Sequence, residues 1–314
     1  MRFDFDDINL IPKKCIVDSR SECDTSVIFG NHKFNLPIVP ANMECVIDID
    51  IAMNLAKNGF FYILHRFYEE EIILSFVKRM NNEGLISSIS LGVNQDSYDL
   101  IEKIIVSNLT VNFITVDIAH GHSIKMQKMV KFLKEKLPNT FIIAGNVCTV
   151  EGVLELENWG ADAIKVGIGP GSACTTYPTT GFGSRNCQAS TIYHCSTVAN
   201  VPIIADGGIK NTGDIAKSLA LGATIIMTGG LLSGYEDSPG KVVEVDGKKF
   251  KEFWGSASSY QSGKSSRIEG KKTLVEYKEK TLLEGLKYIE ESLQSSISYA
   301  GGKGLDTFIT VQWV

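Results

Sequence analysis

Eight short apolar, β-branched runs that alternate with amphipathic stretches predict an α/β protein, and eight such units are the count that closes a (β/α)8 barrel. The runs are LPIVPANM (36–43), FFYILHRF (60–67), ISSISLGV (86–93), FITVDIAHG (113–121), TFIIAGNV (140–147), AIKVGIG (163–169), VPIIADGG (201–208) and TIIMTGG (224–230). They are nearly continuously apolar, as parallel strands covered on both faces require. Stretches between them, such as SIKMQKMVKFLKEKL, space their apolar residues for one face of a helix. A doubly wound open sheet is the alternative arrangement of the same units.

The ends of the runs favour the barrel. In chain order they finish on Asn42, His65 with Arg66, Gly92, Asp117 with His120, Asn146, Gly167 with Gly169, Asp206 with Gly207 and Gly208, and Gly229 with Gly230. In a barrel these positions converge on one rim, where the βα loops carry the chemistry. Any single glycine there would only terminate a strand; the repetition is what points to a site.

Composition sets the frame. The chain has 314 residues, 44% hydrophobic and 21% charged, with a net charge of -5, which suits one large globular domain over 1–314 and argues against nucleic acid as a partner. The start, MRFDFDDINLIPKKC, lacks the basic and apolar regions of a signal peptide, and no apolar run has the length of a membrane span, so a cytoplasmic protein is expected. Seven dispersed cysteines without a CxxC pair suggest neither a disulfide framework nor a zinc site. His120 and His122 lack a third ligand at suitable spacing and read as loop hydrogen-bonders.

Two long segments interrupt the rhythm. One runs from Gly169 to about Cys187 after strand six; the other follows strand eight, over about 231–280. Loops of this length are usually functional. In the second, VVEVDGKKFKEF alternates around Asp246-Gly247, a type I′ hairpin signal, and GSASSYQSGKSSRIEGKK reads as a mobile flap. TLLEGLKYIEESLQ then supplies the eighth outer helix.

The glycine turns after strands seven and eight stand where barrels commonly bind phosphate through backbone N–H groups. Asp206 among them suits a ribose diol, so the ligand reads as a nucleotide. No Walker motif is present, and GIGPGS lacks the context of a Rossmann turn. The stretch GIGPGSACTTYPTTGFG (167–183) holds five glycines, two prolines and one cysteine. On the catalytic rim the Cys174 thiol is a candidate nucleophile with Thr175 and Thr176 beside it, while packing is the other reading of a lone cysteine.

GIGPGSACTT, with ADGG and GG at the next strand ends, resembles the signature of the family of IMP dehydrogenases and GMP reductases, over the span from IPKKC to SSISYAGGKGL. ITVDIAHGHS, IAGNV and LQSSISYAGGK resemble the short bacterial reductase branch. The chain also lacks the CBS-type regulatory insertion, and the flap lacks the Arg-Tyr pair, of most dehydrogenases; a dehydrogenase without the insertion is the alternative.

The resemblance implies NADPH-dependent reductive deamination of GMP to IMP and ammonia. Cys174 is then the nucleophile that forms a thioimidate, and Thr176 with Glu269 of the flap is the proton relay. GMP is held by Ser172, Gly207, Gly208, Gly229, Gly230 and Gly270, with Asp206 on the ribose and Met43 against the base. NADP falls to Arg66, Asp117, Ile118, Ala119, Ile168 and Gly169. A potassium ion would sit on Gly169, Gly171 and Cys174, and the family's homotetramer is implied. Where the family commonly has Arg or Lys after CTT, this chain has Tyr177-Pro178.

Overall fold

The computed structural model describes residues 2–262 and 269–314; the centre of the expected flap, 263–268, lies outside the described residues. An antiparallel hairpin of β1 (Val27–Phe29) and β2 (His32–Phe34) precedes seven parallel strands: β3 (Ile38–Pro40), β4 (Ser88–Leu91), β5 (Phe113–Asp117), β6 (Phe141–Val147), β7 (Ala163–Val166), β8 (Ile203–Asp206) and β9 (Ile225–Thr228). From β4 to β9 each strand pairs with its successor, and β3 pairs with β9, so the sheet curls until the first strand meets the last. This is the arrangement of an α/β barrel.

The second expected strand, 60–67, is reduced to one bridge, Leu64 to Ile89. The Leu64 N–H donates to the Ser88 carbonyl and the Ser90 N–H to the Leu64 carbonyl. The next donor along the ladder, the Ser88 N–H, goes instead to the hydroxyl of Tyr62 at 3.2 Å, and that hydroxyl donates to the Ile86 carbonyl at 2.7 Å. A side chain thus takes the bond that would have lengthened the strand.

Outside the sheet, helices follow in chain order: α1 (Ile49–Lys57), α2 (Glu70–Asn82), α3 (Gln95–Val106), α4 (Ile124–Lys136), α5 (Val150–Trp159), α6 (Thr176–Thr180), α7 (Gln188–Ser196), α8 (Thr212–Ala220), α9 (Ser259–Ser262) and α10 (Leu282–Ala300). Asp48, Ser123, Thr149 and Asn211 cap α1, α4, α5 and α8 by accepting a backbone N–H. A capping box of Thr281 and Glu284 opens α10, which continues past the expected 281–294.

Adjacent strand residues point to opposite sides and build two cores. Ile204, Ile225, Ile143 and Val39 fill the barrel interior, whereas Ile203, Ile226, Ile142 and Ile38 pack outward with residues such as Leu156 and Ile192. Below the interior the β1–β2 hairpin inserts Phe29, whose ring lies 5.1 Å from Phe61, 5.8 Å from Phe113 and 5.0 Å from Phe141.

The segment after β9 forms a separate antiparallel sheet of β10 (Val242–Val245), β11 (Lys248–Trp254) and β12 (Lys272–Glu276). Asp246 and Gly247 have φ of 51° and 73°, as a type I′ turn requires. β12 was not evident in the polar flap sequence, and its pairing with β11 returns the chain to the barrel rim. No helix among the described residues is long and apolar enough to cross a membrane.

Candidate active site

A cavity of about 1020 Å³ opens at the carboxyl ends of the strands. The loop after β7 enters it first. The chain must pass very close to β8 here: a Cβ on Gly167 would stand 1.9 Å from the Asp206 carbonyl oxygen. The short helix α6, unexpected within this loop, begins after Thr175 and stops at Gly181 in the left-handed conformation. It places Cys174 and Thr176 on the cavity wall.

The end of the flap pairs with this loop. Cys174 and Gly270 form an antiparallel bridge, the Thr175 N–H donates to the Glu269 carbonyl at 3.1 Å, and the Lys271 N–H donates to the Ala173 carbonyl at 2.9 Å. The pairing brings three side chains into one chain of contacts. The Thr176 hydroxyl donates to Glu269 Oε2 at 2.7 Å and lies 3.2 Å from Cys174 Sγ, which also donates to the Glu269 carbonyl at 3.7 Å. A thiol, a hydroxyl and a carboxylate in this order can pass a proton to or from a group held at the sulfur.

Cys45 shows the opposite environment. It is fully buried, exchanges hydrogen bonds with the Trp254 backbone at 3.3 Å, and burial pushes its thiol up to about 12. Such a thiol is inert near neutral pH. Cys174 is half-buried and faces the cavity.

The floor of the cavity is ionic. Lys165, on β7, is 2% exposed; its Nζ contacts Asp206 Oδ2 and lies 3.1 Å from Asp117 Oδ1. Asn42 donates to Asp117 Oδ2 at 2.9 Å, and Asn146 donates to Asp206 Oδ2 and to the Gly167 carbonyl, each at 2.9 Å. Burial pulls the Lys165 ammonium down, but Asp117 and Asp206 outweigh it and hold it above the usual lysine range. For Asp117 burial raises the carboxyl, and the larger combined pull of Lys165, Asn42 and Arg66 leaves it below the usual range. The oxygen Asn146 Oδ1 is buried without a partner among the described residues.

Cys174, Thr176 and Glu269, expected together, all line this one cavity. So do Met43, Ser172, Asp206, Gly207, Gly208, Gly229 and Gly230 from the expected nucleotide set. Gly207 and Gly208 take φ of 85° and 81°, a turn only glycine adopts without strain, and a Cβ on Gly207 would stand 3.2 Å from the Gly171 backbone nitrogen. Ser172 Oγ stands 3.9 Å from where a Cβ on Gly230 would be, so the thiol loop and both glycine turns meet. Gly270 does not line the cavity; its backbone pairs with Cys174 and Ser258. Arg66, Asp117, Ile118, Ala119, Ile168, Gly169 and Gly171 line the same cavity. His122 bonds Glu155 at 3.0 Å, away from this wall. Lys165 escaped the reading of the sequence. A lone charge in the otherwise apolar strand AIKV was the signal available.

A curled parallel sheet with a thiol loop and glycine turns on its C-terminal rim defines an α/β barrel of the IMP dehydrogenase / GMP reductase kind, and the family model of that domain matches residues 2–311. The chain belongs to this family. It is 56% identical over 315 aligned positions to a protein named GMP reductase from Clostridium acetobutylicum, covering 99% of this chain and 95% of that protein. It is 54% identical to the GMP reductases of Bacillus cereus and Staphylococcus epidermidis, over 99% of this chain and 95% of each.

Proposed function

We propose that this chain is a GMP reductase, which converts GMP to IMP and ammonia at the expense of NADPH through a covalent bond to Cys174. The observation that carries the reading is the contact chain Cys174–Thr176–Glu269 beside the glycine turns and Asp206. Backbone N–H groups of Gly208, Gly229 and Gly230, with Ser172, suit the phosphate; Asp206 suits the ribose, and Met43 the base.

Cys174 Sγ attacks C2 of the purine and the bond from C2 to the exocyclic nitrogen breaks. As the sulfur attacks, the thiol proton passes through the Thr176 hydroxyl to Glu269, which returns it by the same path to the exocyclic nitrogen, so that this nitrogen leaves as ammonia. Reduction at C2 then breaks the carbon–sulfur bond and returns the thiolate. One difficult substitution becomes two easier steps.

The residues present fit a nicotinamide cofactor: the unpartnered Asn146 Oδ1 is an acceptor for a carboxamide N–H, and Asp117 and Arg66 line the same cavity. NADPH supplies a hydride when bound. Asp117, Ile118, Ala119, Ile168 and Gly169 would hold and orient it, and the Arg66 guanidinium suits its additional phosphate. The carbonyls of Gly169, Gly171 and Cys174 are hard oxygen donors of the kind potassium takes, although the Gly171 carbonyl already accepts the Cys174 N–H at 3.1 Å. We extend the same reading to a single catalytic domain working as a cytosolic homotetramer.

The test is product analysis of purified protein given GMP and NADPH, with and without potassium, together with mass spectrometry of the quenched enzyme. IMP, ammonia and a purine adduct on Cys174 are expected. Oxidation of IMP with NAD as the sole activity, or turnover with no adduct, would overturn the reading.

A further inference from the structure

We infer that Lys165 is a positioning residue that ties the ribose-side carboxylate, Asp206, to the cofactor-side carboxylate, Asp117, and so sets the two ligands in register for transfer. This rests on the proposed function, in which those carboxylates face different ligands of one reaction.

Three observations support it. First, Lys165 is almost fully buried and its Nζ meets both carboxylates, one from β5 and one from β8, so a single side chain spans the cavity floor. Second, both bonds to Asp206 land on Oδ2, from Asn146 and Lys165, so neither uses its Oδ1. Asp117 is held at both oxygens, by Lys165 and Asn42. The carboxylates are therefore fixed in orientation before any ligand arrives. Third, the Lys165 backbone cannot shift easily towards β6: a Cβ on Gly145 would lie 2.5 Å from Lys165 Cβ, so the two strands touch directly at this point.

Without the ammonium, two half-buried carboxylates face each other across the floor, with Arg66 as the other cation acting on Asp117. Their repulsion moves both ligand-binding groups at once. A displacement of about 1 Å between reacting groups costs about 100-fold in rate. Loss of Lys165 is thus expected to act on both ligands and on the chemical step together. A residue that only filled space would leave charge balance immaterial.

The experiment first measures GMP-dependent NADPH oxidation by the wild type; absence of turnover there removes the proposed function itself. In Lys165→Met we expect KM for both GMP and NADPH to rise about tenfold or more, and kcat to fall about 100-fold. Lys165→Arg, which keeps the charge, should restore both KM values to within about fivefold of wild type. A double-mutant cycle with Asp117→Asn decides the role: in the Lys165→Met background this change should cost much less than in the wild type, because it removes the surplus negative charge. If Lys165→Met does not fold, Lys165→Gln replaces it with the same expectations, since it offers a donor without charge. An active wild type whose variants change one KM alone, or whose cycle gives independent, multiplying losses, overturns the inference while leaving the function standing.

Discussion

At its N-terminal end the barrel is closed by phenylalanine rings, and at its C-terminal end by one buried ammonium between two carboxylates. The first end is apolar: Phe29 from the hairpin meets Phe61, Phe113 and Phe141. The second carries Asn42 after β3 and Asp117, Asn146, Lys165 and Asp206 on β5 to β8, then the thiol loop and the returning flap. Both ends are built on the same strands. The difference teaches that stability and chemistry are separable here, because side chains at opposite ends of one strand share its backbone but not its solvent.

That separation can be broken or sharpened by experiment. The largest effect is expected from Cys174→Ser: kcat falls about 10,000-fold or more, while the melting temperature stays within a few degrees of wild type. A comparable loss of stability would show that the thiol loop is part of the structural core.

At the other end, Phe29→Ala removes a ring with aromatic neighbours on three sides and should cost about 3–5 kcal/mol of unfolding free energy in urea titrations. The rate per folded molecule should not change. A lowered kcat at intact stability would mean that the two ends communicate.

Glu269→Gln sharpens the comparison within the catalytic end. It keeps the pairing of the flap with residues 173–175, which runs through backbone groups, and removes only the acid. A fall of about 100- to 1000-fold in kcat with GMP affinity retained is expected from steady-state and equilibrium binding measurements. Loss of affinity of the same size would instead make Glu269 a binding residue.

The smallest effect concerns pH. His65 is buried at the catalytic end, stacked 4.3 Å from Tyr68, and burial lowers its imidazole to about 4. The unfolded chain takes up a proton at this residue below about pH 6.5, whereas the fold does so only near 4. Stability from this group is therefore fully present above about 6.5 and is lost as pH falls towards 4, by up to about 3 kcal/mol. Urea titrations at about pH 7 and about pH 4.5 should show the wild type losing more than His65→Phe. Equal losses would place the acid sensitivity elsewhere.

Much of this was legible before any coordinates. The strand runs and their glycine or polar ends carry a period and a punctuation that depend on immediate neighbours, and so does the Asp246-Gly247 turn. The thiol loop was recognisable because GPGSACTT is a contiguous string. Strand two failed for a local reason that only appears in space, the Tyr62 hydroxyl standing in for a main-chain partner of Ser88. β12 was hidden because its register is set by β11 and not by its own alternation.

By itself, then, the sequence determined the alternation of apolar runs with helices, the Asp246-Gly247 turn and which residues could bear chemistry, since these follow from short-range sterics and from hydrophobic period. Only the tertiary structure decided that the Thr176 hydroxyl donates to Glu269, 93 positions away, and that Lys165 is a buried cation between two carboxylates. Desolvation and charge pairing depend on what surrounds an atom in three dimensions, and a string of residues does not specify those neighbours until the chain has closed on itself.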